Sequence, residues 1–526
     1  MNDSRPTAAS LPPDCDVLVV GGGINGAGIA RDLAGRGLSV VLVERDDLAA
    51  HTSSASTKLI HGGLRYLEHG EFALVRKALQ EREVLLRSAP HLMRPLRFIL
   101  PHDPGAGWLR PAWAIRLGLF LYDHLARREL LPGSEGVDLR RHPAGAPLQQ
   151  HFTRGFAYSD GWVDDARLVV LNALGAQAAG AQILPHTECV EARCAVDHWQ
   201  IRLRSTDGAA TSLRARALVN AAGPWAENFL RNVARDARGD PLASRSLRLV
   251  KGSHIVVPRC FAHADAYLFQ NPDRRIVFAI PYEGEFTLIG TTDVELHGDP
   301  GAARVDDDET AYLCAQASRY FRVPVTPADV RWRFCGVRPL LADDAQDPAA
   351  VTRDYRLELD RDGPPLLTVW GGKLTTFRRL AEEAADLLAP ALGAARGPWT
   401  AEAVLPGGDL SDWTGRPPRS RQPQRDFDDF VRALAVRHPW LPDEVRVRWA
   451  HAYGSRISLL LGSASSVADL GERLAPGVFT AELDYLHAQE WARDGDDMLW
   501  RRSKLGLHLD GPGRARVAAW FRRRRG

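Results

Sequence analysis

Residues 16–44 read DVLVVGGGINGAGIARDLAGRGLSVVLVE. The β-branched apolar run Asp16-Val-Leu-Val-Val has the composition of a strand buried on both faces, as in a parallel sheet. It opens directly into Gly21-x-Gly23-x-x-Gly26. Ile29 to Ala34 then reads as a helix, stopped by Gly35 and Gly37. A second buried strand, Ser39 to Val43, ends at Glu44. This is a complete βαβ unit, and it starts a doubly wound sheet. Gly21 permits the tight turn, Gly23 lets backbone approach a pyrophosphate, and Gly26 lets helix and strand pack closely. The helix N-terminus favours the negative charge. Glu44 is placed to accept from ribose hydroxyls and would repel a 2′-phosphate. The unit therefore predicts dinucleotide binding, with FAD and NAD both compatible.

The next segment bears on that choice. Thr52, Ser53, Ser54, Ser56 and Thr57 set five hydroxyls ahead of Lys58-Leu-Ile-His-Gly-Gly-Leu-Arg-Tyr66. Hydroxyls can donate to a pyrophosphate, and Gly62 and Gly63 let backbone pass close to a flat ring. The alternative is a serine-rich surface loop.

Farther on, strand-like runs occur at Ala217–Asn220, Arg275–Ile280, Phe286–Ile289 and Leu366–Trp370. Alternation at Trp199–Arg204 predicts antiparallel pairing. The fold class is α/β: a Rossmann-like dinucleotide-binding domain with an inserted α+β substrate domain and a helical C-terminal domain. The expected nucleotide part covers about 14–80, 155–235 and 335–395, and the substrate part about 81–154 and 236–334. A Gly/Ala/Pro-rich stretch near 395–405 reads as a linker. The helical domain, 400–526, follows it, with helices at Arg425–Val436, Leu441–Tyr453, Ala481–Arg493 and Met498–Leu507.

Composition sets outer bounds. The 526 residues allow two or three domains, and 67 Lys plus Arg against 65 Asp plus Glu leave no global field for nucleic acid. No nucleic-acid module is recognisable. The six cysteines show no CxxC pair and no metal-ligand spacing, so they read as reduced thiols, with no metal expected. The missing CxxC also excludes a disulfide reductase. The first 14 residues, with an acid and prolines, read as a leader without a secretory signal. No run of about 18 apolar residues predicts a spanning helix.

Taken with Arg154–Arg167 (RGFAYSDGWVDDAR), Val250–Pro258 (VKGSHIVVP), Ile289–Asp293 (IGTTD), Gly336–Pro339 (GVRP), Thr352–Tyr355 (TRDY) and Gly371–Thr376 (GGKLTT), these segments resemble the FAD-dependent glycerol-3-phosphate dehydrogenases of bacterial aerobic respiration. That family lies within the D-amino-acid-oxidase-like flavoproteins. The resemblance runs from Asp14 to about Leu507. It makes the Rossmann-like domain an FAD-binding domain and the helical C-terminal domain a cap. It implies non-covalent FAD and oxidation of sn-glycerol 3-phosphate to dihydroxyacetone phosphate, with electrons passed to membrane quinone. It also implies a peripheral position on the cytoplasmic face of the inner membrane, and a homodimer as a family-level expectation. For FAD it points to Gly21, Gly22, Gly23, Asn25, Gly26, Ala27, Glu44, Thr52, Ser53, Ser56, Lys58, His61, Gly63, Gly223, Gly371, Gly372, Lys373, Leu374 and Thr375. For the substrate it points to Arg65, Arg338, Arg353 and Lys373.

The cation set agrees with the chemistry, since a phosphomonoester dianion needs cations and Arg matches phosphate oxygens with a planar fork. A base should accept the hydroxyl proton, and His61 and His254 are the candidates. Arg338 or Lys373 could instead lower the pKa of the hydroxyl, leaving water as acceptor. Two basic aromatic segments, Leu92–Arg128 and the six-arginine tail from Arg514, suit an interfacial anchor on anionic lipid. Competing readings are an oxidase of the same substrate using oxygen, an amine or amino-acid oxidase, and a non-catalytic flavin-binding membrane scaffold.

Overall fold

The computed structural model describes residues 12–342 and 354–525, apart from 104, 106, 108 and 109. Strand Asp14–Val20 pairs in parallel with Val40–Val43 on one side (Val17↔Val40) and with Ala210–Asn220 on the other (Val17↔Ala217). Gln182–Leu184 extends the parallel set beyond Val40–Val43, and Leu366–Trp370 extends it beyond Ala210–Asn220. The predicted run of buried β-branched residues is the centre of this sheet: Val17, Leu18 and Val19 are fully buried. Helices Ile24–Gly35, Asp165–Ala178 and Phe377–Leu392 cover one face through Ile29, Leu33, Val169, Leu380 and Ala384. Leu18, Val41 and Val43 on the other face pack with Trp199, Phe229 and Leu230. The alternating stretch at Trp199 is antiparallel, as its pattern requires, but it belongs to this nucleotide sheet: Trp199–Ser205 pairs with Thr187–Cys194 and with Ala210–Asn220.

Among the described residues the second sheet has ten strands, including the long antiparallel pairs Met93–His102 with Arg154–Val163 and Leu247–Pro258 with Trp332–Leu341. Helix Asp307–Ser318 packs on one face through Leu313 and Ala317. Helices Phe72–Ser88 and Ala112–His124 pack on the other through Leu79, Ile115 and Leu119. The sheet takes in Leu59–Ile60, Arg154–Val163 and Trp332–Leu341, which lie wholly or mostly in the expected nucleotide segments. Pairing distant in sequence decides the membership of such strands.

The C-terminal domain is helical, with Pro423–Arg437, Asp443–Tyr453 and Thr480–Gln489 close to their expected positions. Its core holds Phe430, Trp449, Tyr453 and Leu483, all fully buried. The predicted helix at Met498–Leu507 is instead a wide turn of π-helix, Asp497–Arg502, followed by a short 3₁₀ turn. The basic tail forms helix Gly511–Arg525, whose Val517, Trp520 and Phe521 are buried in the domain core. Its aromatics are therefore not available to lipid headgroups, which corrects that part of the expected anchor. All six cysteines are free thiols. Among the described residues no helix is long and apolar enough to cross a membrane.

Candidate active site

A cavity of about 390 Å³ runs along the carboxyl ends of the parallel strands and into the seam with the second sheet. Open α/β sheets bind ligands at that place. The glycine turn forms its floor. Gly21 has φ of +113°, and a Cβ there would lie 2.4 Å from the carbonyl oxygen of Ala221. A Cβ on Gly26 would lie 1.9 Å from the carbonyl oxygen of Gly21. Those two glycines allow backbone to touch backbone. Gly23 differs: a Cβ would meet only Ser53 Oγ, at 3.1 Å, on the cavity side.

Helix Ile24–Gly35 thus presents its N-terminus to the cavity, where free amides favour an anion. Ser53 Oγ accepts from the Ile24 amide at 3.0 Å and holds the hydroxyl loop against the turn. Glu44 accepts from the Gly22 amide at 2.7 Å and the Asp46 amide at 2.9 Å, which fixes its carboxylate at the cavity edge. Asn25 reaches the Gly371 carbonyl at 3.1 Å, while its Oδ1 is buried without a partner in the described structure. The open helix terminus, the Cβ-free floor and the orphaned amide oxygen together fit a dinucleotide cofactor with a pyrophosphate.

Most predicted cofactor residues line this cavity: Gly21, Gly23, Asn25, Glu44, Thr52, Ser53, Ser56, His61, Gly223 and the run Gly371 to Thr375. Three do not. Ala27 is fully buried in the core under the fingerprint helix, because one step along a helix turns a side chain to another face. Lys58 is also fully buried; its Nζ donates to Asp165 at 2.7 Å and to the Ser54 carbonyl at 3.0 Å. It braces the hydroxyl loop from behind, as does Ser56, which donates to Asp165 through its amide and hydroxyl. Gly63, with φ of +76°, lies beneath the ring of Tyr66 rather than on the wall. Gly22 likewise packs on Glu44 and Leu48.

Away from Glu44, the second sheet contributes its own side chains to the cavity. Strand pairing places Arg338 opposite Val250, and His254 opposite Phe334. Arg338 donates to Asp293 and to Thr291 Oγ1 (3.2 Å), so the guanidinium is held in one orientation over Gly252. The Lys373 ammonium sits 3.9 Å from the centre of the Tyr66 ring, a cation–π contact. Arg338, Lys373, His61 and His254 all line the cavity. Arg65 is half-buried and does not; its neighbour Tyr66 does. Arg353 lies outside the described residues.

Both histidines are held neutral. Burial, with Lys373 and Arg82 nearby, lowers the pKa of His61 to about 4. Burial, Lys58 and Arg338 take His254 well below the ordinary histidine value. The two differ in access. His254 is 2% exposed, stacked on Phe334 with ring centres 5.0 Å apart; its Nε2 is 2.9 Å from Thr57 Oγ1 and its Nδ1 is buried. His61 opens on the cavity, and its amide donates to Thr375 Oγ1 at 3.1 Å. Beneath it, the Gly62 amide donates to the Tyr122 hydroxyl (2.8 Å), which in turn donates to Asp160 (2.8 Å).

Sequence reasoning missed Tyr66, Trp225, His51 and Asp293. Beside Glu44 the Arg45 guanidinium covers the Trp225 ring at 4.3 Å, and His51 lies against the same ring. Tyr66 and Asp293 stand in the quoted segments, but nothing in their spacing distinguishes a wall or a brace from a core residue.

Comparison with known proteins gives the following. Residues 16–378 match the family described as FAD dependent oxidoreductase. A glycerol-3-phosphate dehydrogenase of Pseudomonas aeruginosa is 50% identical, over 99% of this chain and 98% of the relative. A D-erythritol 1-phosphate dehydrogenase of Brucella abortus is 48% identical, over 97% of this chain and 98% of the relative. Among solved structures, the glycerol-3-phosphate dehydrogenase of Bacillus halodurans complexed with FAD has a TM-score of 0.76 and 27% identity, covering 97% of this chain and 90% of that one.

Proposed function

Because the chain belongs to the FAD-dependent oxidoreductase family, we propose that it oxidises the secondary hydroxyl of sn-glycerol 3-phosphate to give dihydroxyacetone phosphate, with a membrane quinone as acceptor. The observation that carries this reading is the pairing of two cations, Arg338 and Lys373, with two neutral imidazoles at one end of the FAD cavity. A phosphate dianion is matched by the cations, and a carbinol proton by a neutral ring nitrogen.

Bound FAD supplies the hydride acceptor for the carbinol carbon. The residues of the chain supply the rest. Arg338, braced by Asp293 and Thr291, orients the phosphate with a preset fork, so little side-chain freedom is lost on binding. Lys373 adds a second cation, and Tyr66 holds it in place. We assign the acceptance of the hydroxyl proton to a ring nitrogen of His61, which reaches the cavity, whereas Nε2 of His254 is engaged by Thr57. Anaerobic bleaching of the yellow protein by glycerol 3-phosphate tests the reaction. Unbleached FAD would support the non-catalytic scaffold. Running D-erythritol 1-phosphate beside it compares the substrates named for the two relatives.

For the acceptor, support comes from helix Ala112–His124. Trp113, Leu117 and Phe120 recur at helical spacing on one face, and are 71%, 52% and 53% exposed. Arg116 stands among them and no acidic side chain is exposed on that helix. An apolar stripe flanked by arginine fits an anionic lipid surface, lying in the interface rather than spanning it. We propose this helix as the peripheral membrane contact, on the cytoplasmic face of the inner membrane. Quinone reduction in vesicles against oxygen consumption in solution separates the dehydrogenase from the oxidase reading.

A further inference from the structure

The two loops that wall the cofactor cavity are both anchored outside their own domain. The first, Glu44–Ala50, folds over the glycine turn: the Ala49 amide donates to the Gly22 carbonyl at 3.1 Å, and Glu44 takes the Gly22 amide. Between them Asp47 turns away from the cavity and is 2% exposed. Its carboxylate accepts from Arg501 Nε (2.5 Å) and from Arg502 Nη1 and Nη2 (2.5 and 2.7 Å). Both arginines come from the π-helical turn of the C-terminal domain.

The second wall, the hydroxyl loop, rests on Asp165 through Ser56 and Lys58. Its neighbour Asp164 accepts from Lys504 Nζ at 3.1 Å, and Arg167 donates to the Ala452 carbonyl at 2.6 Å and to Glu490. Glu490 joins the two anchors. Its carboxylate holds Arg167 while its carbonyl accepts from Arg502 at 2.6 Å. Asp47, Arg167, Glu490, Arg502 and Lys504 are all buried.

Buried charges tolerate only one arrangement, because separating a pair strands a charge in a poorly solvated place. Loops tied through such pairs cannot part from the cavity unless the C-terminal domain moves with them. We propose that the C-terminal domain is a latch for the cofactor, with Arg502 and Lys504 as positioning residues that set how long FAD stays bound. The inference rests on the FAD reading. It concerns a part of the chain that lies beyond the family match, which ends at residue 378.

The test follows FAD release from the holoenzyme by the flavin fluorescence gained on dilution. Arg502→Met and Lys504→Met should each release FAD about tenfold faster or more, the order expected when a charged hydrogen-bond partner is lost. Turnover at saturating free FAD should stay within about twofold of the parent, since neither residue faces the substrate. Arg456→Leu is the control: Arg456 donates to Tyr485 inside the same domain (2.9 Å), so its loss should lower thermal stability without changing release. Coupling is reciprocal, so FAD should also slow hydrogen exchange across 490–504 in the unmodified chain. If Arg502→Met does not accumulate, Lys504→Met and the exchange measurement decide. Release unchanged in the folded variants, release equally fast in Arg456→Leu, or exchange across 490–504 indifferent to FAD would each overturn the latch. A parent protein that binds no FAD would instead overturn the FAD reading itself.

Discussion

Replacing Arg338 by Ala tests the substrate end of the cavity most directly. The orientation of this guanidinium is fixed by protein acceptors, Asp293 and Thr291. A charge-assisted hydrogen bond contributes about 1.5–3 kcal/mol, so its loss should lower kcat/KM for glycerol 3-phosphate roughly tenfold to 150-fold. A second effect follows from Asp293, the ion-pair partner of Arg338, which is 27% exposed. Without Arg338 it becomes an uncompensated anion beside the bound phosphate. At about 4 Å in water-like surroundings that repulsion is about 1 kcal/mol, or roughly fivefold. The double variant Arg338→Ala, Asp293→Asn should therefore be faster than Arg338→Ala alone, by roughly that factor. Steady-state dye reduction with varied glycerol 3-phosphate reads both. If Arg338→Ala keeps its kcat/KM within twofold of the parent, the phosphate does not bind there. If the double variant is no better than the single one, Asp293 does not face the phosphate.

Gly23→Val should yield colourless protein that is still folded, because the new side chain points into the cavity; absorbance and circular dichroism check this together. Gly26→Val should fail at folding itself, since its Cβ would lie 1.9 Å from a backbone oxygen. Stability should fall as pH drops below 6.5. His91 is 1% exposed with its pKa lowered to about 3, so in that window protons bind the unfolded chain but not the folded one. The melting temperature between pH 6.5 and 4.5 measures the slope, and His91→Asn should flatten it. Leu117→Glu with Phe120→Glu should abolish co-sedimentation with anionic vesicles while leaving dye reduction intact. Sedimentation unchanged by those substitutions would remove helix Ala112–His124 as the lipid contact.

The strand, turn and helix from Asp16 to Ala34 were legible because every determinant is local: β-branched burial, a glycine at each crowded position, and a helix stop. Leu366–Trp370 was legible for the same reason. The second sheet was only partly so. Arg154–Val163 and Trp332–Leu341 read as strands or motifs, but their partners are far away in the chain and nothing within them names the sheet they join. The site divided in a similar way. Gly23, Glu44, Arg338 and Lys373 stand in motifs whose chemistry marks them, and all four line the cavity. Lys58 stands in such a motif too, yet its charge is spent on Asp165, a partner more than a hundred residues away. Tyr66 and Arg65 are adjacent, and only the φ of +76° at Gly63 and the packing of the ring over it decide which one reaches the cavity.

The cavity has one end made chiefly of main chain and another made chiefly of side chains. At the glycine turn an added carbon collides with backbone at Gly21 and Gly26, crowds Glu44 and Leu48 at Gly22, or enters the cavity at Gly23, so mutation has almost nothing neutral to try there. At the seam, Tyr66, Arg338 and Asp293 can each be exchanged without moving a backbone atom of the turn. Descent from a common ancestor can thus conserve the redox engine while its fuel inlet drifts one residue at a time.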